Sequence, residues 1–209
     1  MNTHHDSDAP SPWIARFAPL IAQGARVLDV AAGRGRHARF LAARGAQVTA
    51  VDRDAHALAH LDGVARVDTR VADLEGAPWP FPDLRFDAIV VVHYLHRPLF
   101  ASLLDALADD GVLLYDTFAT GNERFGRPAN PAFLLARDEL LDRVASRLDV
   151  VAFEQSRVDD DLGSRVVQRI AAVGRARRHR ARRRRRLPAV ALRRGGGDAK
   201  ARRGMRTGV

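Results

Sequence analysis

Apolar positions in this chain fall into short continuous runs separated by amphipathic stretches. That alternation predicts strands covered on both faces, with helices between them. Residues 27–30, 47–51, 66–71, 86–92 and 112–117 read as strands, and 86–92 is the most apolar of them. Between them, residues 36–43, 55–61 and 99–107 have helical spacing; Gly45 closes the first, and Asp109, Asp110 and Gly111 are expected to end the last. A leading helix is expected from Ser11 and Pro12 to Gly24, with Trp13, Phe17, Leu20 and Ile21 on one face. Toward the end, a helix over 137–146 precedes a strand to about Phe153, a turn at 159–163 and a last strand over 165–173. That closing hairpin suits an antiparallel edge. The expected fold is α/β: a Rossmann-like seven-stranded sheet, mostly parallel with an antiparallel C-terminal strand, and helices on both faces.

Open sheets of this kind bind ligands beyond the carboxyl ends of their strands. The first such end reads Asp29, Val30, Ala31, Ala32, Gly33, Arg34, Gly35 before the helix that contains Phe40 and Leu41. Gly33, Gly35 and Ala38 match the dinucleotide fingerprint by letters, and Asp52 lies near the distance at which that motif places a ribose-binding acid. Asp29 argues against a dinucleotide, because a pyrophosphate brought to the helix N-terminus would meet a like charge. S-adenosylmethionine has no phosphate and carries a sulfonium and an ammonium, which a carboxylate attracts. Asp52 is expected to hold the ribose and Asp54 to cap the next helix. Asp73 is placed to accept from the adenine amino group, with a plain turn acid as the alternative.

The fourth strand ends in His93, Tyr94, Leu95, His96, Arg97 and Pro98, the expected reacting face. His93 or His96 would serve as the base for a weakly nucleophilic acceptor, and Arg97 would hold an anionic substrate. No third ligand accompanies the two histidines, so no metal site is expected. The polar, Gly- and Pro-rich stretch 120–131 reads as a binding loop, with Glu123, Arg127 and Asn130 as candidate substrate contacts.

Composition changes the picture only in the tail. The net charge is +9, yet residues 174–209 hold 15 of the 34 Lys and Arg and one of the 25 acids, so the tail carries +14 and the remainder −5. The basic excess therefore says nothing about the body of the chain. Residues 1–10 and 174–209 are expected to be disordered, flanking a domain over 11–173. Residues 182–186 are all arginine, in a chain with 33 arginines and one lysine. Such a tail would attach to RNA, DNA or an anionic surface in a salt-sensitive way; a reading frame shifted near Gly174 is the competing explanation. No apolar run approaches a membrane span, the first ten residues lack the apolar core of a signal peptide, and a cytoplasmic protein is expected. The absence of cysteine excludes disulfides and thiolate chemistry.

These elements and acids, in this order, resemble class I S-adenosylmethionine-dependent methyltransferases over about residues 11–173. Within them, residues 93–98 and 118–135 resemble the tellurite-resistance-related branch. The resemblance implies that Asp29, Ala31, Gly33 and Gly35 lie at the methionine part of the donor, Asp52 at the ribose and Asp73 at the adenine. It implies methyl transfer to a small molecule such as a thiol or metalloid oxyanion. An NAD-linked oxidoreductase, or an RNA-associated protein working through its tail, are the alternatives. Ala31 replaces the first glycine of the family turn, which is tolerable if its φ stays negative. Strand four also lacks the Asn/Asp-Pro-Pro-aromatic ending found where base amino groups are methylated.

Overall fold

A computed structural model describes residues 9–160 and 163–177. Seven strands form one sheet in the order β3-β2-β1-β4-β5-β7-β6: β1 (Arg26–Val30), β2 (Gln47–Asp52), β3 (Val67–Val71), β4 (Phe86–Val92), β5 (Leu107–Phe118), β6 (Leu148–Asp160) and β7 (Gly163–Gly174). β1 through β5 pair in parallel, and β7 runs antiparallel to both β5 and β6. This is the architecture expected from the hydrophobic pattern.

Alternation along β1 divides the core. Leu28 and Val30 face a layer containing α4 (Leu99–Ala106) and α5 (Glu139–Ala145), whereas Val27 faces α1 (Pro12–Phe17), α2 (Arg36–Ala43) and α3 (Ala55–Leu58). In β4, Ala88 through Val91 are fully buried, which explains an apolar run with no polar alternation. The order reverses beside β1, where the chain goes first to β2 and later returns to β4 on the other side. The crevice at the ends of β1 and β4 is therefore the ligand position for this topology.

Three elements differ from expectation. The leading helix stops at Phe17 and tightens into a 3-10 turn over Ala18–Leu20, because Pro19 has no N–H to continue the α-helical ladder. Asp109, Asp110 and Gly111 do not end α4. Leu107 is buried and already paired with Phe86, and the register then jumps to Ala88 opposite Val112, so residues 108–111 bulge within β5. β6 continues past Phe153 to Asp160. Its outer half is polar and carries no core-facing signal; ladder bonds to β7 and ion pairs such as Arg157–Asp159 sustain it instead. Asp161 and Leu162 of the expected turn, and the tail beyond Arg177, lie outside the described residues.

Candidate active site

The first turn is built from residues in left-handed conformation: Ala31 at φ 52°, Gly33 at 54° and Gly35 at 77°. The expectation of a negative φ at Ala31 is thus overturned. The chain makes the same reversal there as glycine would, and the Cβ costs about 1–2 kcal/mol. At Gly35 the constraint is double, since an added Cβ would lie 2.4 Å from the Leu61 side chain. Ala32 N–H donates to Val51 O at 3.0 Å, Gly33 N–H to Asp52 Oδ2 at 2.8 Å and Gly35 N–H to Ala32 O at 2.9 Å. Three backbone donors of this turn are thus engaged inside the protein.

Asp52 closes the mouth of β2, its Oδ1 also accepting from Asp54 N–H at 2.9 Å. Asp54 caps α3, accepting from His56 and Ala57 N–H, as expected of it. Asp73, after β3, accepts from Glu75 N–H at 3.0 Å. Backbone donors from Glu75 and Gly76 hold its carboxyl below the usual range. It is both the turn acid of the alternative reading and a wall of the cavity.

That cavity, about 220 Å³, joins the ends of β1, β2, β3 and β4. Ala31, Asp52 and Asp73 line it as expected. Arg53 and Glu75, to which the sequence gives no role, line it too, as does Tyr94 of the expected reacting face. Each lies within two residues of a recognised position, but only the spatial convergence of four strand ends shows that their side chains face one space.

Asp29 sits one step inside the mouth, on β1 under α2. It is 1% exposed, and its Oδ2 has no hydrogen-bond partner. Burial raises its pKa to about 7, against the opposing pull of the Ala38 N–H and the Arg36 guanidinium. Next to it, His37 is also buried. Its Nε2 accepts from Ser11 N–H at 3.1 Å, so this nitrogen carries no proton, and burial pushes the ring down to about 3. Ser11 Oγ donates to Asp116 Oδ2 at 2.6 Å, and Arg169 Nε donates to Asp116 Oδ1 at 3.0 Å. This buried network pins the start of α1 beside the ends of β4 and β5.

His93 and His96 are not brought together. His93, at φ 56°, packs its ring 4.8 Å from Phe118. Its other side stays open to solvent, and desolvation of the covered side holds its pKa below the ordinary value despite Asp116. His96 instead lies on the Asp73 side, where its charge acts on that carboxyl.

Arg97 does not point a vacant guanidinium into the crevice. Nε and one terminal nitrogen grip Glu139 at 2.9 and 2.8 Å, and the terminal nitrogens donate to Ala132 O and Leu134 O at 2.7 and 2.8 Å. Four of its five N–H donors thus hold the wall after β5. The candidate substrate loop is largely self-supporting. Glu123 accepts from Gly121 N–H, and Asn130 caps the turn Pro131–Phe133 through Ala132 N–H. Arg127 remains exposed. Asn122, within the loop but not among its candidate substrate contacts, is the buried keystone: it donates to Pro128 O and accepts from Val166 N–H. Among the described residues, no cluster of three or more potential ligands could hold a metal.

Comparison with known proteins agrees with this geometry. Residues 27–111 match the methyltransferase domain family. A ubiquinone biosynthesis O-methyltransferase from Xylella fastidiosa (strain 9a5c) is 39% identical over 104 residues, covering 46% of this chain and 40% of that protein. The structure of TehB from Haemophilus influenzae superposes with a TM-score of 0.65 at 18% identity, covering 78% of this chain and 61% of TehB. A SAM-dependent methyltransferase from Methanosarcina mazei gives a TM-score of 0.59 at 15% identity, with 79% and 98% covered. The chain spans less than two thirds of the length of both the ubiquinone-pathway relative and TehB. Residues 27–111 therefore carry the methyltransferase domain match, and the sheet has the fold of S-adenosylmethionine-dependent methyltransferases.

Proposed function

We propose that the chain is an S-adenosylmethionine-dependent methyltransferase acting on a small-molecule acceptor. The observation that carries this reading is the spent turn: the N–H groups of Ala32, Gly33 and Gly35 serve protein acceptors, and the adjoining cavity is walled by Asp52, Asp73 and Glu75. A pyrophosphate would lose those three donors and meet three carboxylates against one lining cation, Arg53, which disfavours the NAD-linked alternative. A phosphate-free nucleoside with a cationic methionine end meets neither obstacle. Similarity to a ubiquinone-pathway O-methyltransferase supports a small acceptor, and similarity to TehB supports the tellurite-resistance-related branch.

In this reading Asp52 holds the ribose hydroxyls and Asp73 the adenine amino group. Ala31, Gly33 and Gly35 shape the methionine end, with Asp29 supplying negative charge beneath it. When bound, the donor supplies an electrophilic methyl group. The protein's part is to align the acceptor with that methyl and exclude water, which positioning alone can accelerate strongly. His93 is assigned to the reacting face: its unprotonated imidazole can take a proton from a weakly nucleophilic acceptor. His96, placed on the nucleoside side, is not assigned this step, and Arg97 acts through the wall it holds. Glu123 and Asn130 likewise shape the wall, leaving Arg127 as the loop's candidate for direct acceptor contact. We assign residues 11–173 as the catalytic domain, place the protein in the cytoplasm, and confine any nucleic-acid attachment to the basic tail.

Calorimetric titration with S-adenosylhomocysteine and NADH tests the cofactor. Wild type is expected to bind the former only, and Asp52→Ala to weaken it at least tenfold through loss of charged hydrogen bonds. NADH binding, or no binding of S-adenosylhomocysteine, would overturn the proposal.

A further inference from the structure

The cavity contains one polar group that the protein answers only loosely: the Tyr94 hydroxyl has Glu75 beside it as an acceptor, outside the geometry of a formed hydrogen bond. Tyr94 lines it from the end of β4, and its hydroxyl oxygen is buried without a hydrogen-bond partner of acceptable geometry. A buried hydroxyl in this state costs roughly 1–3 kcal/mol unless something else satisfies it. The backbone at this point is firmly placed. Tyr94 O accepts from Tyr115 O–H at 2.9 Å, and Tyr115 is itself buried and stacked on Phe100. The ring also packs against the buried core on the α4 and α5 side of the sheet, as Ala72, Leu74 and Trp79 do. The orphan oxygen therefore follows from a well-held side chain at a fixed position.

Which part of a nucleoside would meet it follows from its neighbours. Glu75 and Asp73, which line the cavity beside Tyr94, act on its hydroxyl most strongly, with Arg53 opposing them. Burial and the two carboxylates push the phenol further toward its protonated form, so at neutral pH it is a donor. Asp73 and Glu75 are acceptors only, suited to an exocyclic amino group. A ring nitrogen of adenine needs a donor, which neither acid can provide.

Resting on the cofactor reading above, we propose that the Tyr94 hydroxyl donates a hydrogen bond to a ring nitrogen of the cofactor's adenine, making Tyr94 a specificity-determining residue of the site. The carboxylates then read the amino group while Tyr94 reads the ring. A base lacking either feature leaves a buried polar group unsatisfied, the arrangement that discriminates most sharply between analogues.

The test is titration of wild type and Tyr94→Phe with S-adenosylhomocysteine and with analogues in which a single adenine ring nitrogen is replaced by CH. Thermal melting of both apo proteins should accompany it. Wild type is expected to bind one of these analogues about five- to tenfold more weakly than the parent. Tyr94→Phe should show that same loss toward the parent and no further loss toward that analogue, with an apo melting temperature at or above wild type's, because the variant removes a poorly satisfied buried hydroxyl. If the hydroxyl instead serves Glu75, Tyr94→Phe will melt lower and bind the parent as wild type does, which overturns the assignment. Equal losses toward every ligand would overturn it as well. Failure of wild type to bind S-adenosylhomocysteine would overturn the cofactor reading and this assignment together, whereas wild-type binding with an indifferent variant overturns this assignment alone.

Discussion

Asp29 shows how a single residue couples fold and ligand. In the unfolded chain its carboxyl ionises near 3.8, and in the folded protein near 7. The folded state thus holds the proton more tightly, and this group's contribution falls as pH rises from about 4 to about 7, then levels. A cationic ligand end reverses the preference by favouring the carboxylate. Affinity for S-adenosylhomocysteine is therefore expected to rise as pH goes from 5 to 7 and then flatten, with proton release detectable as a buffer-dependent binding enthalpy. Asp29→Asn should abolish that pH dependence while stabilising the apo protein at pH 8; a wild-type profile flat from pH 5 to 8 would refute the coupling. The motif made Asp29 visible in the sequence. Its burial was not, because burial depends on α2 folding back over β1.

At the scale of elements, the wall formed by residues 119–135 is clamped rather than hinged. Asn122 ties it to β7, and Arg97 ties it to α5 through Glu139, whose carboxyl is held at about 2 by the Arg97, Ala136 and Arg143 hydrogen bonds despite its desolvation. Glu139 also binds Arg143 on its own helix at 2.8 Å. Arg97→Met should cost about 2–3 kcal/mol in denaturant unfolding, since it removes two charged hydrogen bonds from Glu139 and leaves the Ala132 and Leu134 carbonyls without this donor. It should also speed tryptic cleavage after Arg124 by loosening the wall around it, while leaving S-adenosylhomocysteine affinity unchanged. Unaltered proteolysis would show that the wall stands without this strut. In sequence, Arg97 and the loop are chemically rich and point to substrate contact; in the fold they form a strut and a wall. Arg97 and Glu139 are 42 positions apart, and no local pattern reports that they meet.

Considered as a whole molecule, the basic tail leaves from the end opposite the crevice. Gly174 pairs with Leu148 at the start of β6, whereas the crevice lies at the other end, where Phe118 pairs with Val167. Arg175 donates to Ala145 O at 3.1 Å and Arg177 to Leu20 O at 2.6 Å, so the chain is held to the body up to that point. Removal of residues 178–209 is accordingly expected to leave S-adenosylhomocysteine affinity within twofold of wild type and to remove any salt-sensitive binding to polyanions. Loss of donor binding on truncation would favour the RNA-associated alternative. No helix among the described residues is long and apolar enough to cross a membrane.

The fold class was legible in the sequence because it rests on local regularities. Four-residue apolar runs, glycines at a turn and acids after strands each report on their own neighbourhood, and the chain-order rules for α/β sheets assemble them. Asp52, Asp73 and the glycine turn were legible for the same reason. Other features arose only when distant strand ends converged: the cavity shared by Arg53, Glu75 and Tyr94, the separation of His93 from His96, and the conversion of Arg97 from ligand to strut. Ala31 marks the boundary. Its identity argued for an ordinary backbone, yet the turn between β1 and α2 imposes a left-handed one, because tertiary packing outweighs a local preference of about 1–2 kcal/mol. Local pattern decides which elements form. Which side chains face one another across the crevice is decided by the packing of the sheet.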